Sequence, residues 1–265
     1  MATFQEGVPC WVDALLPDVE AGKRFYGELF GWTFQAGGQR HGSYIQAFHH
    51  GENVAALTPK PDGRMPTVWN VYFATPDASG AAARIAAAGG QIITAPMAVG
   101  EFGVLATAAD PGGAVFGLWQ AGTHAGFQES GEPGTYVWTE VYIRDRDKEA
   151  VDAFYSAVFA YEGLDASEEG IDFAVWSPAG TRPGPDAAVM GRAVLPKAVP
   201  VEMPAHFLVY FRVSDCDGAV ETAARLGGRT MAAPQDTPYG RFAIVADNQG
   251  AMFAVIDTDR VTKGA

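Results

Sequence analysis

The sequence predicts an α+β fold built from one βαβββ module used four times, two modules to a domain and two domains in tandem. Three observations lead there. Short runs rich in Val, Leu, Trp, Tyr and Phe alternate with turn residues, as strands do. Stretches of helical spacing lie between an acidic cap and a glycine stop. The order of these landmarks then occurs twice. Val71-Tyr72-Phe73 answers Val209-Tyr210-Phe211, and Asp77, Gly80, Gly89, Gly90, Ala95 and Pro96 answer Asp215, Gly218, Gly227, Gly228, Ala233 and Pro234 at one constant spacing. Asp110, Gly113 and Phe116 answer Asp247, Gly250 and Phe253. The domains are placed at 7–121 and 134–258, with the Gly-rich, polar segment 122–133 as linker.

Taken in order, Cys10–Leu16 reads as the first strand and Asp18 as a helix cap, able to accept from the free N–H groups of the first turn. Phe25, Tyr26, Leu29 and Phe30 follow at helical spacing, and Gly31 stops the helix. Trp32–Gln35, Ser43–His49 and Asn53–Thr58 complete the first module as strands. The second repeats the plan: strand Trp69–Ala74, cap Asp77, the alanine-rich helix Ala78–Ala88, the stop Gly89-Gly90, and strands Gln91–Thr94, Val104–Ala108 and Ala114–Trp119, the last two joined by an Asp110-to-Gly113 turn. In the second copy Trp138 to Asp145 matches Trp11 to Asp18, and Phe154-Tyr155 matches Phe25-Tyr26.

Composition narrows the partners. The formal charge is −13 with only 18 Lys and Arg, scattered, which argues against a nucleic-acid partner. No apolar run is long enough to span a membrane and no leader precedes the first strand, so no membrane partner and a cytoplasmic location are expected. Cys10 and Cys216 stand far apart, outside any C-x-x-C pattern, which excludes a disulfide framework. No G-x-S-x-G or Walker loop occurs. The Gly-Gly pairs follow their helices instead of preceding them, so they are not dinucleotide cradles.

The strand–Asp–helix opening with Phe25-Tyr26 and Gly31-Trp32, the Gly89-Gly90 exit with Ala95-Pro96 beyond it, and the Asp110-to-Gly113 turn, found in order and twice, resemble the glyoxalase/bleomycin-resistance/dioxygenase (vicinal oxygen chelate) superfamily, and in particular its tandem two-domain glyoxalase-like proteins. The resemblance implies that each pair of modules curls into an open cup-shaped sheet holding a small ligand. In metal-dependent members the first and last strands of each module donate His or Glu to a divalent ion. The matching first-strand positions here are Trp11, Asn70, Trp138 and Leu208. The matching last-strand positions are Ala56, Gly117 and Ala254. None is a good ligand for such an ion. No cofactor is therefore expected, a divalent metal being the alternative. His49-His50 with Glu52 forms a histidine cluster at a predicted strand end. Alternation along a strand would send the two rings to opposite faces, so they are not expected to share an ion. His206 reads as an ordinary, partly buried histidine.

What remains is a set of cup-facing candidates. By the two-residue period, Asp13 shares a face with Trp11, and Glu140 and Tyr142 share one with Trp138. Buried acids need partners. Asp13 and Glu140 are thus candidates for holding a ligand hydroxyl or cation or for acting as general base, the alternative being internal pairing. Asn70 with Tyr72, Tyr210, and the rim residues Tyr239 and Arg241 complete the ligand-binding candidates. The leading expectation is metal-free binding of a small amphiphilic molecule in one or both cups. The alternative is a glyoxalase-like lyase or isomerase, or a dioxygenase, working through a divalent metal or through Asp13 or Glu140. A third is a chain whose tryptophans plug the cups. With four modules in one chain a monomer can complete both cups; a homodimer is equally compatible.

Overall fold

The computed structural model describes residues 4–36, 44–168, 170–181 and 184–261. Ser43, the first residue of one predicted strand, lies outside the described residues. The first copy runs β1 (Pro9–Leu16), α1 (Val19–Phe30), β2 (Thr33–Ala36), β3 (Ile45–His49), β4 (Glu52–Pro59), β5 (Val68–Ala74), α2 (Ala78–Ala87), β6 (Gln91–Val99), β7 (Gly103–Ala109) and β8 (Val115–Ala121). The second runs β9 (Tyr136–Ile143), α3 (Lys148–Phe159), β10 (Glu162–Asp165), β11 (Phe173–Ser177), β12 (Met190–Val194), β13 (His206–Arg212), α4 (Cys216–Arg225), β14 (Arg229–Thr237), β15 (Gly240–Ala246) and β16 (Met252–Asp257). Each copy is an open eight-stranded sheet, ordered β2-β3-β4-β1-β5-β8-β7-β6 in the first and β10-β11-β12-β9-β13-β16-β15-β14 in the second. The predicted α+β class and βαβββ modules are what the chain forms. None of its described helices is long and apolar enough to cross a membrane.

The helix signals act as predicted in the first copy. Asp18 accepts from Ala21 N at 3.0 Å, and Gly31 closes α1 in the left-handed region at φ 74°. Asp77 accepts from Ser79 N and Gly80 N. The second copy departs. Asp145 does not cap α3; it opens a 3-10 turn, Asp145–Asp147, and the helix begins at Lys148. The chain from Trp138 to Phe154 is longer than from Trp11 to Phe25, and this turn absorbs the excess. A non-glycine residue, Ala160, takes the left-handed position at φ 54°.

Strand β6 extends well past its predicted end at Thr94 and carries Pro96, and β14 likewise carries Pro234. Both are sheet-edge strands with register shifts against their single neighbours, so a residue without an N–H can be accommodated there.

The compact units do not follow the copies. One comprises Met1–Trp11, Val71–Gly126 and Thr139–Phe207; the other comprises Val12–Asn70, Phe127–Trp138 and Leu208–Ala265. Each therefore joins a module of one copy to a module of the other. In the first unit Tyr155 Oη donates to Asp110 Oδ2 at 3.2 Å, and Phe73, Phe116, Phe159 and Phe207 pack ring against ring. In the second Tyr26 Oη donates to Asp247 Oδ2 at 2.8 Å and accepts from Trp69 Nε1 at 3.0 Å, beside a cluster of Phe30, Trp32, Phe211 and Phe253. The helix tyrosine of each copy thus locks onto the Asp turn of the other. The aspartates also hold their own turns, Asp110 Oδ1 accepting from Ala114 N and Asp247 Oδ1 from Ala251 N, both at 2.9 Å. Burial pushes the Asp110 carboxyl up to about 6, despite these donors. The two cysteines are free and buried; burial pushes their thiols up to about 12 at Cys10 and about 11 at Cys216, which makes them poor nucleophiles.

Candidate functional site

The four modules share one register. Parallel pairing sets Asp13 opposite Ala56 on β1 and β4, Tyr72 opposite Gly117 on β5 and β8, Glu140 opposite Gly191 on β9 and β12, and Tyr210 opposite Ala254 on β13 and β16. The last-strand partner is always Ala or Gly, and the first-strand partner is an acid in the leading module of each copy and a tyrosine in the trailing one. Gly191, which the sequence reading did not single out, completes the set. Its signal was hidden because the second copy diverges between Ser177 and Met190.

The small residues are required by their neighbours. A Cβ at Gly117 would overlap the Tyr72 ring. One at Gly191 would stand 2.6 Å from the Phe173 ring and 3.1 Å from Glu140 Cγ. Ala56 and Ala254 are completely buried. A chelating carboxylate at these positions would have to displace a packed ring or enter a filled interior. Trp11, one of the first-strand positions, is 4% exposed, and the His124 ring stands edge-on to it at 4.5 Å between centroids. The residues at the family's ligand positions therefore do not fit a divalent ion.

Asp13, in the second unit, is 3% exposed. Its Oδ1 accepts from Asn70 Nδ2 at 2.8 Å and its Oδ2 from Tyr44 Oη at 3.2 Å. These two neutral donors offset part of the cost of burying the carboxyl group. The structure thus brings Asp13 and Asn70 together, a pairing that strand parity did not specify, and adds Tyr44, which the sequence placed in a strand and which lies just before β3. In the first unit Glu140 is 9% exposed, with Tyr142 stacked on His206 at 5.5 Å and 8°. His206 is half-buried, its Nδ1 lies 2.9 Å from Pro204 O, and burial lowers its pKa. Trp138 and Tyr72 are half-buried; Tyr210 is buried, its ring 6.0 Å from that of Phe242.

The linker supplies a group that sequence reasoning missed. His124 lies between Trp11 and Trp119, and its carbonyl accepts from Trp119 Nε1 at 2.8 Å. Its pKa is lowered by burial. At the rim, Tyr239 is exposed on the β14–β15 turn. The Arg241 guanidinium takes both oxygens of Asp217 at 2.8 Å and Asp236 Oδ1 at 3.0 Å, and the two carboxylates raise its pKa. It would meet a ligand as an already paired cation. The expectation that His49 and His50 point to opposite faces is overturned. His50 lies in the turn beyond β3 at φ 51°, and the two rings come to 3.9 Å between centroids.

Residues 11–118 match the family model of the Glyoxalase/Bleomycin resistance protein/Dioxygenase superfamily, and residues 140–256 match that of a glyoxalase-like domain. CFP32 of Mycobacterium tuberculosis (strain CDC 1551 / Oshkosh), provisionally named a glyoxylase, is 37% identical across 96% of this chain and 95% of its own. The anthracycline biosynthesis protein DnrV of Streptomyces peucetius is 37% identical across 97% and 95%. Among solved structures, the Mn(II)-bound glyoxalase of Novosphingobium aromaticivorans superposes with a TM-score of 0.63 at 14% identity, covering 97% of this chain and 86% of that one, which is a likeness of fold. The repeated register, the matched models and full-length relatives of this similarity together make the chain a tandem member of the glyoxalase/bleomycin resistance protein/dioxygenase superfamily.

Proposed function

We propose that this protein binds a small amphiphilic molecule without a metal, on the strand faces that carry Asp13 and Glu140. The observation that carries the reading is the register set: Ala56, Gly117, Gly191 and Ala254 stand where chelating side chains would, and the Tyr72 ring fills the place at Gly117. An aromatic wall with one buried acid suits a flat apolar ligand bearing a hydroxyl or amine, which the carboxylate accepts from. Asn70 and Tyr44 orient Asp13 for that contact. DnrV is named for anthracycline biosynthesis, which supports a polycyclic aromatic ligand. Two free, buried cysteines fit a reducing, cytoplasmic compartment.

The second reading is a glyoxalase-like lyase or isomerase, or a dioxygenase, with Asp13 or Glu140 as general base or with a divalent metal. The glyoxylase name given to CFP32 favours it. Titrating an anthracycline into the protein in the presence of EDTA, followed by tryptophan fluorescence, separates the two. Saturable binding that weakens at least tenfold in Asp13→Asn, with an unchanged melting temperature, supports the first. Turnover or binding that needs an added divalent ion, and persists in Asp13→Asn and Glu140→Gln, would overturn it.

A further inference from the structure

We propose that His49, His50 and Glu129 form a binding site for one divalent transition-metal ion, clasping the linker onto the β3–β4 hairpin. The site is independent of the strand faces discussed above and of the family's ligand positions.

The hairpin explains how two adjacent histidines come to one place. His49 and Glu52 pair across it, so His50 and Gly51 are the whole loop. Both have positive φ, 51° and 90°, as the tightest two-residue turns require. At such a corner strand alternation no longer applies, and the two imidazoles lie side by side. Asn, Asp or Gly is the usual residue where His50 stands, so turn chemistry alone does not call for histidine.

The third donor comes from the linker. Asn53 N donates to Gln128 Oε1 at 2.7 Å, and Gln128 N donates to Asn53 O at 2.9 Å. This two-way clip delivers the next residue, Glu129, to the hairpin, where its Oε2 lies 2.6 Å from His49 Nδ1. The other ring nitrogen of His49 faces the backbone at Gly134, where even a Cβ would stand 3.0 Å from Nε2. Nδ1 is therefore the donor available to an ion.

One donor atom from each of the three residues lies within 4.8 Å of the others, and among the described residues no other such group of His, Cys, Asp or Glu occurs. Donors about 2.1 Å from a shared ion stand roughly 3.4 Å apart in a tetrahedral shell. Rotation about the exposed His50 and half-buried Glu129 side chains covers the difference. Two imidazoles and one carboxylate suit a borderline ion such as Zn²⁺, Co²⁺ or Ni²⁺ over Ca²⁺ or Mg²⁺. The exposed side of His50 leaves a fourth position to water.

The test uses the full chain, stripped with EDTA and dialysed, titrated with Zn²⁺ by calorimetry and with Co²⁺ by visible absorption. One equivalent of Zn²⁺ is expected, with a tetrahedral Co²⁺ band and a higher melting temperature on loading. His50→Asn and Glu129→Gln should each weaken Zn²⁺ at least tenfold. Asn suits the left-handed turn better than His, so His50→Asn folds at least as well, and its loss of zinc cannot be laid to misfolding. No saturable Zn²⁺ binding by the wild-type chain, or equal binding by both variants, would overturn the proposal.

Discussion

The groups around Asp13 and Glu140 occupy the same register in the two copies, yet their surroundings differ. At the position of Asn70, whose amide donates to Asp13, the second copy has Leu208. Beside Glu140 the room comes from a missing side chain at Gly191, under the Phe173 ring, whereas Asp13 lies opposite Ala56. Asp13 meets Asn70 and Tyr44, whereas Glu140 borders Gly191 and the Phe173 ring. The repeat therefore duplicated a frame and let its contents diverge, which is how one fold comes to present two different faces.

The largest effect should come from refilling a vacated position. Gly117→Ala forces the Tyr72 ring to move and should cost about 3 kcal/mol, whereas Gly191→Ala meets the movable tip of Phe173 and should cost about 1 kcal/mol. Urea midpoints of the two variants measure the contrast; equal costs would mean that the two places are packed alike.

Next is the Asp110–Tyr155 lock. The folded carboxyl of Asp110 is raised to about 6 from 3.8, so the folded state holds its proton more tightly than the unfolded chain. Its contribution to stability is present below pH 3.8 and is lost as pH rises through about 6. Compared with Asp110→Asn, the wild type should lose on the order of 2–3 kcal/mol between pH 4 and pH 7. Parallel stability–pH curves for the two proteins would remove the effect.

Smaller is the difference in ligand grip. Asp13→Asn should weaken ligand binding at least tenfold, about 1.4 kcal/mol. Tyr44→Phe, which removes the longer of the two named side-chain bonds to Asp13, should weaken it by less. Calorimetric titration of both variants ranks them, and a larger loss in Tyr44→Phe would reverse the roles. Smallest is the helix-exit comparison. Ala160→Gly should stabilise and Gly31→Ala destabilise, each by about 1 kcal/mol, because both positions are left-handed. Thermal melts of the pair check the sign.

Much of the frame was legible before folding. Asp18, Asp77 and the Asp110 turn act through bonds to residues a few places away and Gly31 through its own left-handed backbone, so spacing alone reveals them. The candidate site was legible in part. Parity placed Asp13 on the face of Trp11, but its partners Asn70 and Tyr44 come from distant parts of the chain. Asp145 was misread as a cap because the extra residues before Phe154 leave no trace in the motif itself. His50 was misread because a two-residue turn breaks the alternation on which the reading relied.

By itself the sequence determined the module, its fourfold use and the poverty of metal-binding side chains at the family's positions. All three follow from local periodicity, turn chemistry and side-chain type, which need no knowledge of distant neighbours. Only the tertiary structure decided that Tyr26 meets Asp247 and Tyr155 meets Asp110, that Tyr72 fills the place at Gly117, and that Glu129 reaches His49. These contacts join residues far apart in the chain, and which pairs meet is set by how whole aromatic faces pack together, a property no short stretch of sequence carries.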